Sequence, residues 1–336
     1  MSKTIIVSNR LPISLRHRNG KFEFKPSAGG LATGLGSIYK SGENIWIGWP
    51  GNTVEDPEQR AEIILELHEL KMAPVFLTKE EVTKFYEGFS NETLWPAFHY
   101  FTQYIEYNSD HWEAYSDVNR KFCEAILKKA DPDDTIWIHD YQLLLLPQML
   151  REALPNSTIA FFQHIPFPSY EIMRMIPWRK ELLEGMCGSD LIGFHTYDDM
   201  RHFLSAVGRI TGLSSESGYI QAENRIINVD SFPMGIDYGK FEKQAKSRKT
   251  QRIVQDFRNQ VGDQKLIITI DRLDYSKGIP QRLHAFNRLL QLHKSLHGKV
   301  SMIMIVVPSR DKVKSYKELK EEIDLLVGRI NAEYST

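Results

Sequence analysis

Apolar residues along the chain fall into two alternating patterns. Short, nearly continuous runs occur at TIIVSN (4–9), IWIGW (45–49), APVFL (73–77), TIWIH (135–139), TIAFFQH (158–164), LIGFH (191–195), IINVDSF (226–232), LIITI (266–270) and VSMIMIVV (300–307). Runs of this length without polar alternation predict parallel strands covered on both faces. Between them lie segments of helical period: 57–70, 79–90, 110–130, 142–153, 178–187, 198–212, 238–261, 279–297 and 312–333. In 110–130, Trp112, Tyr115, Val118, Phe122, Ala125 and Ile126 share one face, while Asp117, Lys121, Glu124 and Lys128 lie elsewhere. Strand and helix in alternation predict a doubly wound α/β architecture.

The polar stretch YGKFEKQAKSRKTQRIVQDFRNQVGDQ (238–264) predicts a surface helix and sets the domain boundary. Residues 1–240 then form one Rossmann-like domain. Residues 241–336 supply two β-α units, less than the roughly 100–150 residues such a domain usually needs. The second domain therefore reads as incomplete, with a sheet edge left unpaired.

Ligands of open parallel sheets bind beyond the carboxyl ends of the strands. Polar residues recur at those ends: Asn9-Arg10, His139-Asp140, His164, His195, Arg272 with Asp274, and Ser309-Arg310. The repetition predicts a shared polar cleft. Arg10 can take a phosphate monoester with its forked guanidinium, or serve as a solvated loop residue. In SAGGLATGLGS (27–37), Gly29 and Gly30 would let backbone N–H groups approach an anion or sugar, or simply make a tight turn. The string matches neither GxGxxG nor GxxxxGK[ST].

FYEGFSNETLWPAFHY (85–100) offers Tyr86 and Trp95, as core or as faces for a sugar ring. Asp140 suits a helix N-cap and equally an acceptor of sugar hydroxyls. Pro166 and Pro168 stiffen the chain after His164 and fix where its imidazole points. Arg272 and Lys277 flank a strand-to-helix turn where both can meet one diphosphate, near a helix N-terminus at Gly278. Fixed cations there would stabilise the charge of a diphosphate leaving group. The alternative is internal pairing with Asp271 and Asp274.

Composition narrows the class of partner. The 336 residues are 42% apolar and 25% charged with a net charge of −1, so no polybasic nucleic-acid surface is expected. Cys123 and Cys187 have no metal-type spacing, and no HExxH, CxxC or paired-His motif occurs, so no metal is expected. The N-terminus MSKTIIVSNR carries no signal-type run and no stretch approaches a membrane span, which predicts a cytoplasmic protein without membrane contact. Asn156-Ser157-Thr158 matches the glycosylation pattern only by accident in such a chain.

The ordered set VSNRLP (7–12), SAGGLATGL (27–35), WIGWPG (46–51), FYEGFSNETLWPAFHY (85–100), WIHDYQLLLLPQMLR (137–151), FFQHIPFPSYEI (161–172), LIGFHTYDD (191–199), RLDYSKGIPQR (272–282) and PSRDKVKSY (308–316) resembles the retaining, UDP-forming trehalose-6-phosphate synthases. The resemblance spans essentially the whole chain. It implies the α/β fold called GT-B and transfer of glucose from UDP-glucose to glucose 6-phosphate, with no further cofactor. It further implies that Arg10 and Arg310 clamp the acceptor phosphate, and that Tyr86, Trp95 and Asp140 contact the acceptor sugar. Gly29, Gly30 and His164 would lie by the donor sugar, and Arg272 and Lys277 would hold the diphosphate.

The family is thought to react on one face of the sugar without a protein nucleophile. The resemblance also allows a homo-oligomer, or association with a phosphatase domain or subunit. Family members continue past the equivalent of Thr336 with further donor contacts, so the chain is expected to be a C-terminally shortened form. A sibling synthase using glycerol 3-phosphate, or a non-catalytic sugar-phosphate-binding form, is the alternative. Retention of Arg10, Tyr86, Trp95 and Arg310 favours an acceptor with a ring to stack.

Overall fold

The computed structural model describes residues 2–18, 21–26, 35, 44–222, 224–308, 310 and 313–334. Gly29, Gly30 and Ser309 lie outside the described residues. The chain divides into two compact units, Met1–Met234 and Gly235–Thr336.

The first unit is built on a nine-stranded sheet. Its strands are β1 (Thr4–Arg10), β4 (Asn44–Trp49), β5 (Met72–Pro74), β6 (Thr135–His139), β7 (Thr158–Phe162), β8 (Leu191–Phe194), β9 (Ser215–Glu216), β10 (Tyr219–Ala222) and β11 (Arg225–Ser231), in the order β5-β4-β1-β6-β7-β8-β11-β10-β9. All neighbours are parallel except β10, which runs antiparallel to β11 and β9. From β1 the chain first builds outward through β4 and β5, then returns to β6 and builds the other way. The order thus reverses at β1 and β6, and a crevice opens at the carboxyl ends there. Arg10 ends β1, and Asp140 follows β6.

Continuous apolar runs of the central strands are buried as the pattern predicts, whereas IINVDSF, read as covered on both faces, alternates in β11 and leaves Ile226 59% exposed. Ile5, Ile6, Val7, Ile47, Ile136, Ile138, Ile159, Ile192 and Phe194 are all fully buried. On one face, Ile6, Trp46 and Met72 pack with Leu11 and with Ile13 and Leu15 of a hairpin, β2 (Ile13–Arg18) and β3 (Lys21–Pro26). They also meet Ile63 and Leu67 of α1 (Pro57–Glu69), which Asp56 caps and Pro57 opens. The other α-helices of eight residues or more among the described residues of this unit are α2 (Ser109–Leu127), α3 (Leu146–Ala153), α4 (Arg179–Met186) and α5 (Tyr197–Ile210).

Three departures from the sequence pattern have local causes. Strand 73–77 shrinks to β5 at the sheet edge, where Pro74 has no N–H to give the ladder. The β2–β3 hairpin and the β9–β10 ribbon lie where no element is predicted. The helix expected over 79–90 runs from a capping box at Thr78 and Glu81 into a π-helix, Val82–Leu94, followed by an α-turn, Trp95–Phe98. Pro96 lacks the N–H that would close on Glu92 four residues back. The Glu92 carbonyl instead accepts from the Glu106 N–H at 2.8 Å, and the Trp95 N–H reaches back five residues to Ser90.

The second unit holds α6 (Tyr238–Ala245), α7 (Arg248–Val261), β12 (Lys265–Arg272), α8 (Ile279–Leu292), β13 (Val300–Val307) and α9 (Lys314–Tyr334). The single helix expected over 238–261 is split at Ser247, whose side chain caps α7. β12 and β13 form a parallel pair. Val300 and Met302 share a cavity with Phe286, Leu290 and Ile330 of α8 and α9. The expectation that LIITI is buried on both faces fails: Ile268 is 59% and Ile270 67% exposed, with Ile305 and Val307 about half exposed beside them. Helices cover one face of this pair, and α6 and α7 bury none of their residues.

Candidate active site

Three of the strand-end residues in the first unit are brought together by direct contact. Asp140 sits at φ 77° and ψ 166°, a backbone region that is nearly glycine-only. Holding a β-carbon there costs of order 1–3 kcal/mol. The conformation is fixed from both sides: the Asp140 N–H donates to the Phe162 carbonyl at 2.8 Å, and Oδ1 accepts from the N–H groups of Tyr141 and His164, at 3.1 and 3.2 Å. The cap role suggested by the sequence is therefore real, and the same oxygen also ties the end of β6 to the turn after β7. Strain of this kind clusters at functional sites. Nothing in the residue string signals it.

His164 stands in a row of three imidazoles contributed by neighbouring strand ends. Nδ1 of His139 lies 3.0 Å from Nε2 of His164, and the His164 and His195 rings meet edge-on at 5.4 Å between centroids. Phe162 flanks His164 at 4.7 Å. Burial, helped by His195, pushes the His164 imidazole down to about 3, and burial lowers His139 far below the usual range and His195 below it. All three rings are neutral at pH 7. Among the described residues no group of three or more His, Cys, Asp or Glu side chains is arranged to hold a metal ion.

Arg10 is exposed, and its guanidinium lies over the Trp49 ring at 5.3 Å. Trp49 in turn packs against Tyr86, 6.1 Å between centroids. Gly51 leaves the space for this arginine: it has φ 94°, and a β-carbon there would collide with Nη2 of Arg10. Trp95 is buried and packs on Tyr141 and His99, whereas Tyr86 is partly exposed. Tyr141 donates its hydroxyl to Asn91 of the π-helix at 2.9 Å. The wide helix carries Tyr86, Trp95 opens the α-turn that follows it, and π-segments recur at functional sites. Trp49 and Gly51 were not singled out by sequence reasoning, whereas His139 was read as a strand-end residue without a role; the glycine after WP is the one signal that WPGN offers.

In the second unit a single carboxylate organises the cations. Asp274 is fully buried. Its Oδ1 accepts from the Ser276 N–H at 3.0 Å and so caps the 3-10 turn Tyr275–Lys277. Its Oδ2 lies 3.2 Å from Arg310 Nη1, 3.1 Å from the Tyr316 hydroxyl and 3.8 Å from Arg272 Nη2. Arg310 is nearly buried, at φ 51°, and also bonds Tyr316. Asp271 pairs with Arg282 at 2.8 Å. Internal pairing therefore engages Arg272 weakly and leaves Lys277, which is exposed, without an ion pair among the described residues. Gly278 follows in the left-handed region at φ 62° and opens α8.

Residues 2–336 match glycosyltransferase family 20. The chain belongs to that family. It is 44% identical to the UDP-forming α,α-trehalose-phosphate synthase 1 of Aspergillus niger, over all of this chain and 66% of the relative. Against the Schizosaccharomyces pombe synthase it is 42% identical, over 99% of this chain and 66% of that one. The family 20 chain thus spans about two thirds of the length of these relatives. Among solved structures it is similar to a Burkholderia xenovorans synthase in complex with glucose 6-phosphate, with a TM-score of 0.86 and 30% identity over the whole of this chain and 72% of that one. The Escherichia coli protein bound with UDP-2-fluoro glucose gives 0.85 and 31%, over the whole chain and 71% of its own. The N-terminal domain of a Candida albicans trehalose-6-phosphate phosphatase gives 0.87 and 30%, over the whole chain and 70% of its own. The α/β fold is that of these proteins.

Proposed function

We propose that this family 20 chain carries the acceptor side and part of the donor side of a retaining glucosyltransferase. The reaction moves glucose from UDP-glucose to glucose 6-phosphate and yields trehalose 6-phosphate and UDP. The observation that carries the reading is the strained Asp140, bonded to the His164 backbone where the strand order reverses.

In this reading Arg10 takes the acceptor phosphate, and Tyr86, Trp95 and Asp140 contact the acceptor sugar. Arg310 adds a second cation for that phosphate, held in its rotamer by Asp274 and Tyr316. His164, with Gly29 and Gly30, meets the donor glucose, and Arg272 and Lys277 hold the diphosphate. The anomeric hydroxyl of the acceptor bonds to C1 of the donor glucose as the bond from C1 to the diphosphate oxygen breaks. The hydroxyl proton passes to the leaving phosphate, and Arg272 and Lys277 stabilise the charge that develops there. A ring that titrates near 3 is a poor proton carrier at pH 7, so His164 serves as a hydrogen-bonding group. Catalysis by positioning and charge follows.

UDP release measured with and without glucose 6-phosphate tests the proposal. Acceptor-dependent release supports it. Binding of glucose 6-phosphate without release supports the second reading, a sugar-phosphate-binding form. That reading is favoured by the similarity to a domain that heads a phosphatase. Binding of neither substrate refutes both.

A further inference from the structure

We propose that His139 is a positioning residue that sets the tautomer of His164: the Nδ1–H of His139 donates to Nε2 of His164, and His164 carries its own proton on Nδ1. His139 is the last residue of β6, fully buried against the Trp137 ring. At 3.0 Å, one of the two facing nitrogens donates and the other accepts. Nε2 of His139 is buried and has no hydrogen-bond partner among the described residues.

Two assignments are open to a neutral pair. If His164 donates, His139 must carry its proton on Nε2, and an N–H is buried without an acceptor. If His139 donates, Nε2 keeps only a lone pair. Orphaned buried N–H groups are rarer than under-satisfied acceptors, so the second assignment wins. A doubly protonated His139 would again bury an Nε2–H without an acceptor, and burial disfavours a charge on either ring. The low values of both rings agree with a neutral pair.

The His164 ring has little freedom to escape this assignment. Its backbone N–H is held by Asp140, and Phe162 and His195 flank the ring. With Nε2 engaged, Nδ1 is the nitrogen left to a ligand, and it offers a proton. His164 therefore recognises an oxygen that accepts, such as a sugar hydroxyl oxygen. This last consequence rests on the donor-contact reading above; the tautomer does not.

The test is nitrogen–proton correlation spectroscopy of the full chain with 15N-labelled histidine, the His164 pattern being assigned by its loss in His164→Asn. The expected wild-type pattern is Nδ1–H with a bare Nε2, unchanged from pH 8 to pH 5. His139→Asn, whose amide N–H can take the place of Nδ1–H, should keep that pattern. His139→Leu should move His164 towards the Nε2–H form that a free imidazole prefers. Wild-type His164 in the Nε2–H form overturns the proposal, as does an unchanged pattern in a folded His139→Leu chain. Nδ1–H without any response to added UDP-glucose supports the tautomer assignment and removes the donor-contact reading.

Discussion

The two units end their strands on the same kind of sequence, an apolar run that stops at polar residues, and handle those residues differently. After β6 and β7 of the first unit the polar groups are neutral imidazoles and a carboxylate whose backbone is strained. After β12 of the second they are charges gathered on one buried carboxylate. The apolar runs differ as well: those of β1, β4, β6, β7 and β8 in the first unit are largely sealed on both faces, while β12 and β13 leave one face open. Burial on both faces lets a strand end hold uncharged groups at low dielectric. A thinner, one-sided unit holds its polar end by ion pairing.

The contrast breaks first, and most severely, at Asp274. Asp274→Ala leaves the nearly buried Arg310 without its carboxylate and removes the cap on Ser276. Losing one partner of a buried pair costs about 3–5 kcal/mol. All six tryptophans lie at or before residue 178, in the first unit. Circular dichroism on urea unfolding should therefore show the loss, while tryptophan fluorescence follows the other unit. A loss below about 1 kcal/mol would show that the carboxylate does not organise the second unit.

At Asp140 the prediction separates strain from function. Asp140→Gly relieves about 1–3 kcal/mol of backbone strain and gives up two hydrogen bonds to the carboxylate. The unfolding free energy should stay within about 1 kcal/mol of wild type. Acceptor-dependent UDP release should fall on the order of 100-fold, the scale for one lost electrostatic contact at the reacting groups. Asp140→Ala keeps the strain, loses the same bonds, and should be the less stable of the two. Equal stability of the two variants would remove strain from the account.

The architecture was legible because sealed strands write continuous apolar runs, and the ordered motifs placed Arg10, Asp140, His164, Arg272 and Lys277 at strand ends. What the string hid depends on three-dimensional neighbours. The left-handed backbone of Asp140 is imposed by Phe162 and His164, residues more than twenty positions away. At the end of the π-helix, Pro96 has no N–H for the Glu92 carbonyl, which bonds Glu106 instead. The partner of Asp271 is Arg282, a turn into α8, although Arg272 and Lys277 are nearer in sequence. The open face of β12 reads in sequence like a covered one, because an isoleucine is the same letter wherever it points.

The histidine row predicts a pH dependence of stability. In the unfolded chain an imidazole takes up a proton below its ordinary value of 6.5, while folded His164 stays neutral down to about 3. The unfolded state then binds more protons, so stability falls as pH drops from 6.5 towards 3. At pH 5 the loss from His164 alone is about 2 kcal/mol, measured as the shift of the urea midpoint, with His139 and His195 adding in the same direction. A flat profile between pH 7 and pH 5 would mean that the row is open to water and charged. The loss belongs to the first unit, which holds all three rings.

Arg10 sharpens the contrast from the other side, as an exposed cation that pairs with no carboxylate among the described residues. Arg10→Ala should weaken binding of glucose 6-phosphate by about 1.5–3 kcal/mol, the range for hydrogen bonds to a charged group, with no loss of stability. Gly51→Ala should act in the same direction by displacing the guanidinium from Trp49. An unchanged dissociation constant in calorimetry would take Arg10 out of the acceptor site.

The smallest effect is expected where the units differ most visibly. Ile138 is fully buried, and Ile138→Ala should cost about 2–5 kcal/mol through lost transfer energy and the cavity left behind. Ile270 occupies the same kind of position in an apolar run but is 67% exposed, so Ile270→Ala in this chain should change stability by no more than about 0.5 kcal/mol. Both are read from urea unfolding followed by circular dichroism. A cost at Ile270 approaching that at Ile138 would show that the outer face of β12 is buried in solution, and the distinction between a sealed sheet and a one-sided pair would not hold.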